Sequence, residues 1–147
     1  PEVIQSDGHL DRKALREKVF SNNDEKEWLN QLLHPEIRRQ ILAQLNNASS
    51  KYVILSAPLL LENGLDKYCD QVLVIDVPES LQVERTVTRD NTSEEQVAAI
   101  LNAQMTREER RRKADDIIVN DTTLNALHTQ VQELHKRYLE AAIAHPS

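Results

Sequence analysis

The chain has 147 residues, with 18 Lys and Arg against 24 Asp and Glu, a formal charge of -6 and 39% hydrophobic residues. That is enough apolar material for one compact domain, and the charge gives the whole molecule no attraction for nucleic acid or an anionic membrane surface. One cysteine, Cys69, rules out an internal disulfide, and no stretch approaches the roughly 18 apolar residues of a membrane span, so a cytosolic protein is expected.

The chain opens on Pro1 without a basic and then apolar leader, which reads as a cut inside a longer polypeptide. Asp7-Gly8 is a turn signal. Leu10, Ala14, Leu15, Val19 and Phe20 then recur at steps of four and five, on one side of a helix, with Asp11 near its start, where a carboxylate is favoured. The polar run Ser21-Asn22-Asn23-Asp24 predicts a break. Trp28, Leu29, Leu32 and Leu33 form a second helical stripe, which Pro35 is expected to end. A third helix is expected from Glu36, carrying Ile37, Ile41 and Leu45, until Asn46-Asn47 stops it.

Beyond residue 50 the period changes. Tyr52-Val53-Ile54-Leu55 and Gln71-Val72-Leu73-Val74-Ile75-Asp76 are short β-favouring runs whose continuous apolarity predicts parallel strands covered on both faces. Asn63-Gly64 marks a turn between them. A helix is predicted from Pro78 through Arg89, and capping-box pairs, Ser93 with Gln96 and Thr106 with Glu109, open two more. Asp116-Ile117-Ile118-Val119 predicts a third strand, and Leu124, Leu127, Val131, Leu134 and Tyr138 a long amphipathic closing helix. Strands alternating with helices imply an α/β domain with a mainly parallel sheet, to which the first fifty residues form a helical attachment.

With only Gly8 and Gly64, the 147 residues contain neither GxGxxG nor GxxxxGK followed by Ser or Thr; a nucleotide cradle needs clustered glycines so that backbone amides can approach phosphate. Any phosphate site must rest on side chains. Arg85 and Arg89 lie four apart on one helical face, and residues 107 to 113 hold five basic and two acidic side chains. Guanidinium forks suit phosphate, so this stretch reads either as a lid closing on nucleotide or as a solvated helix laced with Glu-Arg pairs; spacing alone leaves both open. His34 precedes Pro35 at a predicted helix junction, and His9, His128, His135 and His145 show no metal-ligand spacing, so no metal on histidine is expected. Cys69 reads as a small packing residue. Glu62 follows the first predicted strand, where it could face a substrate or simply lie exposed on a loop.

Taken in order, seven segments resemble the dephospho-CoA kinases. They are Asp7-Gly8-x-Leu10-x-Arg12-x-x-Leu15 with Val19-Phe20; Leu32-Leu33-His34-Pro35-x-Ile37; Pro58-Leu59-Leu60-Leu61-Glu62; and Val72-Leu73-Val74-Ile75. Gln82-x-x-Arg85-x-x-x-Arg89-Asp90, Ile100-Leu101-x-x-Gln104-Met105 and Ala114-Asp115-Asp116-Ile117-Ile118-x-Asn120 complete the set.

The resemblance implies a three-layer P-loop kinase fold with a parallel sheet. It places a helical CoA-binding segment at 1–50, the C-terminal part of the core at 51–147 and a helical lid at about 84–113. It implies transfer of the γ-phosphoryl group of ATP, with Mg2+, to the ribose 3′-hydroxyl of dephospho-coenzyme A. Arg85 and Arg89 would be catalytic, Arg107 and Asn120 would meet the nucleotide, and His34, Pro35, Leu59, Leu60 and Glu62 would line the dephospho-coenzyme A side. On the same basis the arginine stretch is expected to be the lid.

The departures are equally specific. Family members begin with a strand, a Gly-rich loop carrying Lys and Ser or Thr, and an acidic segment supplying the general base, and these 147 residues contain none of them; Thr122 stands where the family usually has glycine. Without that cradle and base the isolated chain is expected to be inactive; and because the resemblance puts the first strand between 52–55 and 71–76, the chain is expected to be unstable, to self-associate or to be completed by the missing segment. The alternatives are a non-catalytic ligand-binding or oligomerising remnant of a P-loop kinase, and a different small-molecule kinase sharing the lid.

Overall fold

The computed structural model describes residues 3–144; Pro1, His145 and the side chain of Phe20 lie outside the described residues. The chain forms two compact units, Pro1–Ser49 and Ser50–Ser147.

The first unit is helical. Gly8 takes φ +85° in the Asp7-Gly8 turn, and Asp7 Oδ1 accepts from the His9 amide at 3.0 Å. An antiparallel bridge joins Ile4 to Leu10. Asp11 caps helix α1 (Arg12–Ser21) by accepting from the amides of Lys13 and Ala14, and Asn22 caps α2 (Asn23–Asn47) by accepting from Asp24. These are the orphan donors of a helix start, satisfied by the residue types that do it best.

Helix α2 is one element of 25 residues that runs through Pro35, so the two helices expected on either side of that proline are a single helix. The reason is phase: Leu29, Leu33, Ile37, Ile41 and Leu45 repeat every four residues straight across Pro35. Proline still lacks the N–H that would reach the Gln31 carbonyl, and its ring crowds that group. Pro35→Ala is therefore expected to stabilise the helical unit by about 1–3 kcal/mol, read as a later loss of helical circular dichroism in urea; an earlier transition would contradict this.

The second unit is built on a parallel pair, β1 (Leu73–Asp76) and β2 (Asp116–Val119), in register from Leu73 opposite Asp116 to Asp76 opposite Val119. Between the strands run α3 (Glu79–Asp90), α4 (Glu94–Asn102) and α5 (Arg107–Lys113), and α6 (Leu124–Ala144) closes the chain. Helix α3 packs on α4, α5 on β1 and α6 on β2. The Thr106/Glu109 capping box forms in full. At Ser93 only half forms: its hydroxyl accepts from the Gln96 amide, while the Gln96 side chain turns to the Thr92 hydroxyl. Leu61, Leu65, Val97, Ile118 and Leu134 make the core, Ile118 and Val97 being 2% exposed.

Two expectations are corrected here. Tyr52 to Leu55 form no strand, because among the described residues no strand runs beside them, and Ile54 is 74% exposed. Strand β1 is covered on one face only: Leu73 and Ile75 are 39% and 52% exposed, whereas Asp76 is buried. Tyr52 is instead held by α6, its hydroxyl 2.6 Å from His135 Nδ1 and its ring edge-on to Tyr138. Tyr138 donates to buried Asp116 at 2.9 Å; burial first, and then that carboxylate, push its phenol up to about 12. On the outer edge of β2 the Gln130 side chain acts as a short surrogate strand, accepting from Val119 N at 3.0 Å and donating to Val119 O at 2.9 Å.

Candidate active site

Ligands of parallel α/β sheets bind beyond the carboxyl ends of the strands, and here those ends carry Asp76 and, one residue past β2, Asn120. The Asn120 amide donates to the Asp76 carbonyl at 2.8 Å, which sets the two residues side by side. Asp76 is 4% exposed and receives Arg107 as a fork, Nε to Oδ1 and Nη2 to Oδ2, both at 2.8 Å. Arg111, one helical turn on, donates Nη1 to Oδ2. The Arg107 hydrogen bonds chiefly, helped by Arg111 and opposed by burial, hold the Asp76 carboxyl down at about 2. Two guanidiniums on one carboxylate leave a net positive charge at this corner of an acidic chain. Beside it opens a cleft of about 620 Å³ lined by Arg107, Glu108, Arg111, Arg112 and Ile117.

Arg85 reaches the same strand ends from α3, donating Nη1 to the Asn120 carbonyl at 2.7 Å. Among the described residues the Asn120 side-chain amide has no hydrogen-bond partner. Arg89, one turn along α3, forks onto exposed Asp90 at 2.7 and 2.8 Å. The sequence-predicted residues Arg85, Arg107 and Asn120 thus converge, while Arg89 lies in an ion pair of its own.

A family model described as dephospho-CoA kinase matches residues 1–126. The chain belongs to the dephospho-CoA kinase family. It is 59% identical over 143 residues to the dephospho-CoA kinase of Idiomarina loihiensis, covering 97% of this chain and 71% of that protein. To the dephospho-CoA kinase of Pseudoalteromonas translucida it is 57% identical, covering 97% and 68%. Among solved structures, the dephospho-CoA kinase from Campylobacter jejuni superposes with a TM-score of 0.70 at 30% identity, over 95% of this chain and 70% of that one. The Thermus thermophilus protein TT1252 does so at 0.77 and 32%, over 93% and 71%. The fold is accordingly the α/β, parallel-sheet fold of these kinases.

The remaining expected site residues are distributed as follows. His34 is half-buried and Pro35 exposed on α2 of the helical unit, where with Glu27, Asn30, Gln31 and Arg38 they line a shallow cleft of about 400 Å³. In the second unit, Leu59 is 37% exposed and Leu60 half-buried in a turn closed by Leu65 N to Leu60 O at 2.9 Å, with Gly64 at φ +61°. Glu62 in that turn accepts from the Met105 amide at 3.1 Å. Sequence reasoning missed Asp76. Its one signal was position: the first charged residue after the apolar run Val72 to Ile75. Cys69 is half-buried with its thiol toward the Leu65 carbonyl, and burial raises its pKa, in keeping with a packing role. Among the described residues no three His, Cys, Asp or Glu side chains are grouped to hold a metal, and no helix is long and apolar enough to cross a membrane.

The Asp76 cluster yields a pH prediction. Its folded value lies below the ordinary 3.8, so the stabilisation is complete above that value and is lost as the pH falls from there through about 2. Since solvent reaches both guanidiniums, the contribution is at most about 2 kcal/mol. In urea unfolding, Asp76→Asn should be less stable than the parent by about that amount at pH 6, with the difference closing toward pH 2. A difference independent of pH would show that Asp76 is not held by charge.

Proposed function

We propose that this chain supplies the acceptor-binding and arginine-bearing part of a dephospho-CoA kinase, which transfers the γ-phosphoryl group of ATP to the ribose 3′-hydroxyl of dephospho-coenzyme A. What carries the reading is a preassembled set of guanidiniums at the strand ends of a chain belonging to this family. Phosphoryl transfer demands in-line positioning and neutralisation of the equatorial oxygens far more than covalent help from the protein. Arg85, pinned through one Nη1 bond, keeps its remaining donors for a phosphate. Arg107, gripped through Nε and Nη2, presents Nη1. Arg89 reaches the transferring group by leaving the exposed Asp90, an exchange that costs little because surface pairs are weak. The unpartnered amide of Asn120 suits an adenine edge. His34 and Pro35 on the helical unit contact dephospho-coenzyme A, and so do Leu59 and Leu60 in the second unit.

Magnesium accompanies ATP in this reading, but the buried carboxylate at the strand ends, Asp76, is engaged by two arginines, so no step is assigned to the ion. The phosphate cradle and the general base come from residues outside these 147, which hold only Gly8 and Gly64. The strand that brings the cradle lies along β1. Asp116 N bonds Val72 O and Asn120 N bonds Asp76 O, so alternation turns the backbone groups of Leu73 and Ile75 away from β2, toward such a neighbour.

The test is a chimera in which this chain replaces the matching segment of the Idiomarina loihiensis kinase, assayed beside the 147-residue chain alone. The chimera should phosphorylate dephospho-coenzyme A in an ATP-dependent manner and melt independently of concentration. The chain alone should do neither, its melting midpoint rising with concentration as exposed edges associate. A folded chimera without activity, or an active 147-residue chain, would overturn the reading.

A further inference from the structure

Met105, at the entrance to α5, is held through both of its backbone groups. Glu62 Oε1 accepts from the Met105 N–H at 3.1 Å, and Arg110 donates Nη1 to the Met105 carbonyl at 2.6 Å. The next amide, Thr106 N, is taken by Glu109 Oε2 at 2.9 Å in the capping box. Among these contacts only Glu62 comes from outside the α4–α5 segment, across 43 residues of chain.

Its own position is set by the core. Glu62 sits in the 59–65 turn immediately beside Leu61, and Leu61 and Leu65 are buried to 8% and 7% exposure. The turn is closed by Asn63 N to Leu59 O at 3.0 Å and Leu65 N to Leu60 O at 2.9 Å. A contiguous chain of contacts therefore runs from buried leucines through Glu62 to Met105. From there it continues along the first turn of α5 to Arg107 and Arg111 on Asp76.

We infer that Glu62 is a positioning residue: its carboxylate fixes the start of the arginine helix from the 59–65 turn, and it acts on phosphoryl transfer through Met105 and Arg107 rather than by touching dephospho-coenzyme A. The inference rests on the kinase reading above. Its chemical requirement is an acceptor oxygen at the Met105 N–H and not a negative charge, and this separates it from a general base acting on the substrate. A carboxylate that took the proton of the ribose hydroxyl could not be replaced by an amide, whereas a Gln carbonyl accepts from a backbone N–H equally well; a direct contact with the substrate would show instead in the KM.

The experiment uses the active chimera and two substitutions. Glu62→Ala should lower kcat by about tenfold to a hundredfold, the scale of a small misplacement of catalytic groups, and leave the KM for dephospho-coenzyme A unchanged. Glu62→Gln should recover most of that loss. Amide hydrogen exchange supplies a readout independent of activity: Met105 should exchange at least about tenfold faster in Glu62→Ala, as expected when a backbone bond is lost, and at close to the parent rate in Glu62→Gln. If Glu62→Gln is as impaired as Glu62→Ala, or if either raises the KM for dephospho-coenzyme A while Met105 exchange stays at the parent rate, the inference fails. An inactive but folded parent chimera would count against the kinase reading, and the exchange comparison would still decide whether Glu62 holds Met105.

Discussion

The Asp76 carboxylate, buried at the end of β1 and held by Arg107 and Arg111, is the constraint on which the rest of the site depends. A buried carboxylate is costly unless it is paired and hydrogen-bonded, and here both oxygens are satisfied by charged donors. The pairing works in both directions. It makes the strand end tolerable as an acidic position, and it fixes the azimuth of α5, because residues 107 and 111 lie one turn apart on a single face. A seven-residue helix has too little internal hydrogen bonding to hold its own place in water. Its position comes from that ion pair, from the capping box at Thr106 and from the Met105 clamp.

The opposite end of the strand pair is organised by a different set of forces. Asp116, which opens β2, takes Tyr138 at 2.9 Å and Arg137 at 3.0 Å, both from α6. Gln130, two turns earlier on the same helix, occupies the backbone of Val119. Helix α6 is therefore tied to both ends of β2 by polar contacts and packed on it by the buried Leu134. This leaves the two edges of the sheet unlike each other. At Val119 the edge of β2 is occupied by a side chain, while the backbone of Leu73 and Ile75 on β1 faces outward beside exposed apolar side chains. Such asymmetry directs further strand pairing to the β1 side, the side on which the resemblance to the family places its first strand.

How much of this could be read beforehand follows from the range of the interactions involved. Helix starts were legible at Asp11, Ser93 and Thr106 because these residues satisfy amides two or three residues away, a purely local event. The continuity of α2 is written in the same local code, in the four-residue phase from Leu29 to Leu45; an internal proline obscures it, although its cost of about 3 kcal/mol is a penalty and not a prohibition. Tyr52 to Leu55 failed for the converse reason. A strand is a property of a pair, and β-branched composition cannot supply the partner. In the site, the resemblance singled out Arg85 and Asn120, and the bond between them comes from the fold. The two acidic residues that organise the arginine helix, Asp76 and Glu62, act across 31 and 43 residues of chain, and no spacing rule reaches that far.

Under the proposed function, unequal ranges also explain how the site reconciles a chain of net charge -6 with a polyanionic nucleotide. Whole-molecule attraction is unavailable, so positive charge has to be concentrated, and concentrated guanidiniums repel one another unless something lies between them. Asp76 fills that role: it holds Arg107 and Arg111 on its two oxygens, leaves one positive charge in excess, and leaves Nη1 of Arg107 uncommitted. A site arranged this way incurs its reorganisation cost during folding rather than at the moment of phosphoryl transfer, which is the sense in which preorganised donors stabilise developing charge more effectively than water can. On this view the acidic residues around the arginines complete the phosphate site, because they are what keeps its guanidiniums in place.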